Sequence, residues 1–333
     1  DLLNATEYAV LLNEAYANNG QPLPFPDVSN LGAGTDWQEE VFDKGVPMIQ
    51  HDITASGGSE TITYTLSAAH FSQGGIIGGK DKSNFDRNTF RLGMTIDPFK
   101  NVRVNTNIIY NDINRQTFNE NVLGSVLFNA INTPSIYTPR DAAGNFTVLP
   151  TGNADIPGSN LGNEIINPLA QIANTFNDYD LRRISGTFGI DWDIYSDLTL
   201  TTRIGFNSQD SQSRVFNKQV SYGGKDFDNP RSSVNENAIN DNDYTFDAYF
   251  TYKKSLAEAH NFTGTLGTTI YRTFGQGLFA TGFDVPNNTW EFASVGLAQG
   301  LPTTAAGSSY KYDEARLSHF ARLQYDYKGR YLL

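Results

Sequence analysis

The chain has 333 residues, 24 of them Lys or Arg and 36 Asp or Glu, for a net charge of −12, a balance that argues against gripping nucleic acid by its phosphates. With no Cys there is no disulfide framework, thiolate metal site or cysteine nucleophile, and 4 His leave little for a zinc or haem centre, so neither cofactor nor metal is expected. No apolar run approaches the ~18 residues of a membrane-spanning helix, whereas a β-barrel, which shows lipid an apolar side chain only at alternate positions, stays open. Asp1 follows no initiator Met or leader pattern, so the chain reads as a segment of something longer.

In chain order, Asn4 and Glu7 have capping-box spacing, and Tyr8, Leu11, Leu12, Ala15 and Tyr16 follow at helical spacing up to Asn18-Asn19-Gly20. Pro22, Pro24 and Pro26 stop that helix, and Asp36 is placed to cap a short second one through Phe42. Residues 1–48 thus read as a helix-containing loop region, and from Ile49 the apolar period becomes two.

Val102, Val104, Thr106, Ile108 and Tyr110 fall on one face of a strand, with Asn101, Arg103, Asn105 and Asn107 on the other. The same alternation recurs around Ile53 and over 62–68, 90–96, 184–194, 198–206, 244–252, 262–270 and 317–327, about nine strands in all. Several runs reach roughly 10 to 14 residues, against ~5–6 for globular strands and ~9–11 for membrane barrel strands. Tight connections at 57–60, 98–101, 195–197, 256–261 and 328–329 alternate with long ones at 72–87, 113–180, 211–242 and 275–313. A soluble sandwich has no reason to sort its loops this way; an outer-membrane barrel keeps short turns in the periplasm and long loops outside the cell.

Apart from His319, the apolar faces are free of ionisable groups, and aromatic residues such as Phe99, Trp192, Tyr195, Tyr252 and Tyr331 collect beside the tight turns as an interfacial girdle would require. The opposite faces carry Arg103, Arg183, Arg203, Asp247 and Arg322, which would be intolerable toward lipid and are expected to line a wet lumen. The expected fold is therefore all-β: a transmembrane antiparallel β-barrel segment of about nine to ten strands over 49–333, with 1–48 as an extracellular loop region.

Glu7-Tyr8, Leu12-Asn13-Glu14-Ala15-Tyr16, Thr35-Asp36-Trp37-Gln38-Glu39-Glu40-Val41-Phe42 and Gly57-Gly58-Ser59-Glu60, then Phe71-Ser72-Gln73-Gly74-Gly75, Phe85-Asp86-Arg87-Asn88-Thr89-Phe90 and Phe320-Ala321-Arg322-Leu323 onward, come in an order that resembles the SusC/RagA family of TonB-linked outer-membrane transporters. The resemblance covers roughly the first third and the last tenth of the chain. It implies a 22-stranded plugged barrel, of the size known for such transporters, that imports oligosaccharides or peptides. It further implies a SusD-like lipoprotein lid and a TonB complex reached through a segment outside this chain.

Constellations that suggest chemistry have plainer readings. Asp191 and Asp193 share a strand face as glycosidase carboxylates would, but they sit beside a tight turn. Gly223 to Pro230 offers alternating acidic oxygens for calcium without the length or terminal Glu of an EF-hand loop. No catalytic residues are expected. The candidate substrate contacts are aromatic residues of the long loops, Tyr137, Tyr222, Trp290 and Phe292, set among Asn-rich sequence that suits sugars. The alternative is a secreted glycan-binding or adhesin β-protein without transport activity, and behind it a β-rich glycoside hydrolase.

Overall fold

The computed structural model describes residues 2–118, 122–150, 161–257, 259–300 and 306–332. Two helices come first. In α1 (Ala5–Asn18) the Asn4 side chain accepts from Glu7 N and the Glu7 carboxylate from Asn4 N, both at 2.9 Å, completing the capping box. In α2 (Trp37–Val41) Asp36 caps Gln38 N and Glu39 N at 3.0 Å each.

Ten strands follow, joined in sequence order into one antiparallel sheet: β1 (Met48–Gly58), β2 (Ile62–Gly74), β3 (Asn84–Phe99), β4 (Val102–Gln116), β5 (Thr175–Tyr195), β6 (Leu198–Asn217), β7 (Ser233–Leu256), β8 (His260–Phe283), β9 (Ala306–Tyr327) and the two-residue β10 (Tyr331–Leu332). Helices α3 (Val126–Asn132) and α4 (Pro168–Asn174), which the apolar periodicity did not announce, lie in the connection from β4 to β5.

The register keeps the two faces apart from strand to strand. Val102 pairs with Trp192, Trp192 with Leu200, Leu200 with Phe250, Phe250 with Leu266 and Leu266 with Ala321, one apolar row across six strands. One residue away, Arg103, Asp191, Thr201, Tyr249, Gly267 and Phe320 form the corresponding row on the other face. A slip of one residue at any pair would exchange the two rows, so the pattern fixes the register.

The apolar band is far shorter than the strands that carry it. It runs from Val102 to Tyr110 on β4, Ile184 to Ile194 on β5, Leu198 to Phe206 on β6, Tyr244 to Tyr252 on β7, Phe262 to Ile270 on β8 and Leu317 to Tyr327 on β9, nine to eleven residues each time. Barrel strands need ~9–11 residues to cross a bilayer. Yet β7 and β8 each have 24 residues, about 80 Å of extended chain at ~3.3 Å per residue.

The excess lies on the side of the long connections and corrects the expected loops. In the stretch 211–242, residues 211–217 and 233–242 are strand, and in 275–313, residues 275–283 and 306–313 are strand. Beyond the band both faces turn polar, so apolar periodicity vanishes while the ladder continues. Ser208 pairs with Asn242 and donates to its Oδ1 at 2.6 Å, and Asn240 donates to Asp210 at 2.6 Å.

The chain's protein core sits in the connections on that side. Val41, Phe118, Val126 and Ala130 form one cluster, Leu149, Leu161 and Ile165 a second, and Phe216, Val234, Val285 and Ala293 a third. The band itself is bare, with Leu266 63%, Leu317 65% and Leu323 74% exposed. A continuous apolar surface of that extent needs an apolar solvent.

Phe188 and Thr187 adjoin at mid-band on opposite faces and are both exposed. Phe188→Arg is expected to destabilise the full-length protein in lipid vesicles by about 2–4 kcal/mol and Thr187→Arg by under about 1 kcal/mol, measured by guanidinium unfolding.

Candidate functional site

The polar face of the sheet is a wall of charged groups held in place mostly by neutral donors. Arg103 grips Asp97 with two bonds, Nε to Oδ1 at 2.8 Å and Nη2 to Oδ2 at 3.1 Å. Asp191 accepts from Thr201 Oγ1 and Asp193 from Thr199 Oγ1, both at 2.7 Å, so this carboxylate pair is built into the wall near the tight turns. Arg203 and Asp247 are register partners, and Asp247 accepts from Thr269 at 2.6 Å. Arg183 donates to Asn207 at 2.6 Å, and Asn207 and Tyr271 both reach Asp243 at 3.2 Å. Arg322 pairs with Thr265. Arg103, Arg183, Arg203, Asp247 and Arg322 thus all lie on this one face.

The four aromatic candidates scatter over the layer of connections. Tyr137 packs with Phe128 against Leu149, Leu161 and Ile165, and its hydroxyl finds no hydrogen-bond partner among the described residues. Burial, with Tyr8 nearby, pushes its phenol up to about 12.

Tyr222 lines a cavity of about 360 Å³ with Arg140, Phe146, Asn167 and Asn174, between the β4–β5 and β6–β7 connections. Burial raises its phenol too, and the Asn174 side chain bonds it. Asp228 holds the neighbouring turn, accepting from Tyr222 N at 2.6 Å and from Gly224 N and Ser221 Oγ at 2.9 Å, so its oxygens are occupied in closing the loop. The buried Lys225 ammonium ties the two connections together, donating to Pro150 O at 2.7 Å and Gly162 O at 3.2 Å.

Trp290 is committed to packing. It stacks on Phe176 with 5.8 Å between centroids, carries the Arg214 guanidinium 3.8 Å from its ring, and joins the cluster of Phe216 and Val234. Phe176, Phe216 and Val234 continue the apolar-band face, so Trp290 covers the back of the wall. Phe292, two residues on, is exposed. Tyr222 and Phe146 are therefore the loop aromatics that the fold brings to a common cavity.

Aromatic residues of the polar face itself were missed. Phe279, Tyr310 and Tyr312 lie in a stretch that reads as loop by its lack of apolar alternation. The available signal was a second alternation, Gly275-Gln276-Gly277 on one strand facing Tyr310-Lys311-Tyr312 on the next.

No family model matches the chain. Its whole length aligns with two proteins of Formosa agariphila, TonB-dependent receptor P3 at 24% identity, covering 31% of that protein, and TonB-dependent receptor P26 at 24%, covering 32%. The chain thus spans about a third of the curated relatives it matches. A solved structure of the RagAB peptide transporter superposes with a TM-score of 0.77 at 18% identity, over 99% of this chain and 38% of that one. The RagAB peptide importer in its open-open state gives 0.72 at 20%, over 96% and 34%. The chain is a homologue of part of the TonB-dependent receptors, and its fold is part of their outer-membrane barrel.

Trp290→Ala is expected to cost the connection at 284–300 about 2 kcal/mol by removing a half-buried ring and its cation–π partner, seen as faster proteolysis of that segment in the intact protein. For Tyr137 the folded phenol titrates above its unfolded value of ~10. The unfolded chain therefore releases the proton first, and stability falls as pH rises from ~10 toward about 12. Tyr137→Phe should delete one late phenolate from the 295-nm titration and remove that slope.

Proposed function

We propose that this chain is barrel wall from a TonB-dependent importer of the SusC/RagA type, which takes up oligomeric nutrients, glycans or peptides, captured with a SusD-like lipoprotein lid. The observation that carries the reading is the apolar band of nine to eleven residues, repeated on six strands of a sheet whose strands run to 24 residues. A secreted sheet would have to bury that band in its own chain, and here it is exposed.

In this reading the band faces outer-membrane lipid and the polar face lines the lumen, with Arg103, Arg183, Arg203, Asp247 and Arg322 toward water. The tight turns lie in the periplasm. The extended strand ends and the loop layer, with the helices of residues 1–48, stand outside the cell beneath the lid. The chain's task is selection and passage, without bond-breaking chemistry, and release would follow plug remodelling driven by TonB through parts of the protein beyond this segment. That RagAB is a peptide transporter supports one cargo class; the Asn- and Tyr-lined loop cavity supports the other.

The reading is tested on the full-length protein in native membranes. It should fractionate with the outer membrane, migrate as a species much heavier than this chain, and change mobility between boiled and unboiled samples as closed barrels do. A soluble product with no heat shift would overturn it in favour of a secreted β-protein.

A further inference from the structure

The extended part of the polar face holds an arrangement that neither lipid nor the ladder explains. Tyr312 lies five residues along β9 from Leu317, where the apolar band ends, or roughly 17 Å beyond it. Tyr310 lies two residues further, and Phe279 on the adjacent strand belongs to the same face. The rings form a short file, Phe279 to Tyr310 at 5.9 Å and Tyr310 to Tyr312 at 6.2 Å between centroids, the latter pair stacked at 22°.

Beneath them lie Gly275 and Gly277. Neither has a positive φ, so the backbone does not require glycine there. What requires it is space. A Cβ on Gly277 would stand 2.3 Å from Tyr310 Cε1 and 3.0 Å from Phe279 Cε2, and one on Gly275 would stand 2.6 Å from Asn240 O and Asp241 Oδ1 and 2.8 Å from Tyr312 Cε1. The two glycines are a seat that lets the rings lie across the wall. Tyr312 is then pinned by its hydroxyl, which donates to Asp241 Oδ1 at 2.8 Å, while Gln209 Nε2 donates to Asp241 Oδ2 at 3.2 Å. A carboxylate held by two neutral donors keeps lone pairs free for further hydroxyl groups.

We propose that Phe279, Tyr310 and Tyr312 are a stacking platform for the pyranose rings of a neutral oligosaccharide, with Asp241 and Gln209 as its hydroxyl partners. The proposal rests on the reading of the polar face as the import path. Flat aromatic faces bordered by carboxylate and amide groups suit a sugar ring, which is apolar on its C–H face and polar around its rim. The carboxylate disfavours anionic sugars. A peptide is the weaker fit, because the backbone groups of Gly275 and Gly277 are engaged in ladders with β7 on one side and β9 on the other, leaving no edge for strand addition.

The test uses the purified full-length transporter, presented with neutral hexasaccharides of α- and β-linked glucose, mannose and xylose, and in parallel with a pool of tryptic peptides. The expected result is a Kd for at least one hexasaccharide that weakens about tenfold in Tyr310→Ala and in Tyr312→Ala. Gly277→Ala, which keeps every ring and lifts Tyr310 off its seat, should weaken it several-fold, while Tyr312→Phe should stay within about threefold. An unchanged heat-dependent mobility shift identifies each variant as a folded barrel. Equal sugar affinity in Tyr310→Ala/Tyr312→Ala overturns the platform. So does a wild-type protein that binds peptides and none of the sugars, and in that case the importer reading still stands. Absence of a heat-modifiable barrel removes both.

Discussion

A bilayer offers no hydrogen bonds to a backbone and no solvation to a charge, and this chain is organised around both refusals. Within the membrane-height band, each strand from β2 to β8 has a neighbour on either side, which satisfies the first. Strict alternation satisfies the second, with Phe188, Ile204, Phe246, Ile270 and Leu317 on one face and Thr187, Arg203, Asp247, Thr269 and Ser318 on the other. The band's height answers to lipid thickness, which is why it stays within nine to eleven residues whatever the length of the strand.

Past the band the same ladder has a different solvent on both sides. Hydrophobic burial no longer sets the register there, and paired polar side chains take over, with Ser208 and Asn240 matched to acceptors on neighbouring strands and Asn242 donating to Asn240 along its own strand. These extensions also supply something to pack against. The segment holding Trp290 folds down on Phe176, Phe216 and Val234, which occupy the band's face far outside the membrane-height stretch. The protein therefore builds a water-excluding core on the outside of its wall at one height and leaves that face to lipid at another.

This division decides what could be read from the sequence. The capping box of Asn4 and Glu7, the Asp36 cap, the band residues and the tight turns are all local signals and all were legible. The strand extensions were not, because alternation in apolar character reports a difference between two environments, and where both faces are wet it disappears although the strand does not. Helices α3 and α4 escaped for a related reason. They have seven residues each and are capped by Ser125 and Asn167, too short for a periodic stripe to stand out. The candidate aromatics were chosen as loop residues, and the fold sorts them by packing: Trp290 against the back of the wall, Tyr137 inside a loop cluster, and Tyr222 at a cavity with Phe146.

A strand that outlasts the membrane gives a transporter a surface that loops do not. A loop aromatic must be fixed by its own local packing, and Trp290 shows the consequence, since the contacts that hold its ring also cover it. On a strand the ladder fixes the backbone, so a side chain can be oriented by what is left out beneath it. Gly275 and Gly277 omit two Cβ atoms, and Tyr310 and Tyr312 settle over the gaps against the sheet, with Tyr310 exposed. Rigidity comes from the ladders of β7, β8 and β9. The same β9 that presents Leu317 and Leu323 to lipid presents Tyr310 and Tyr312 to the opposite side further along, so position in the membrane and placement of these rings are set by one register.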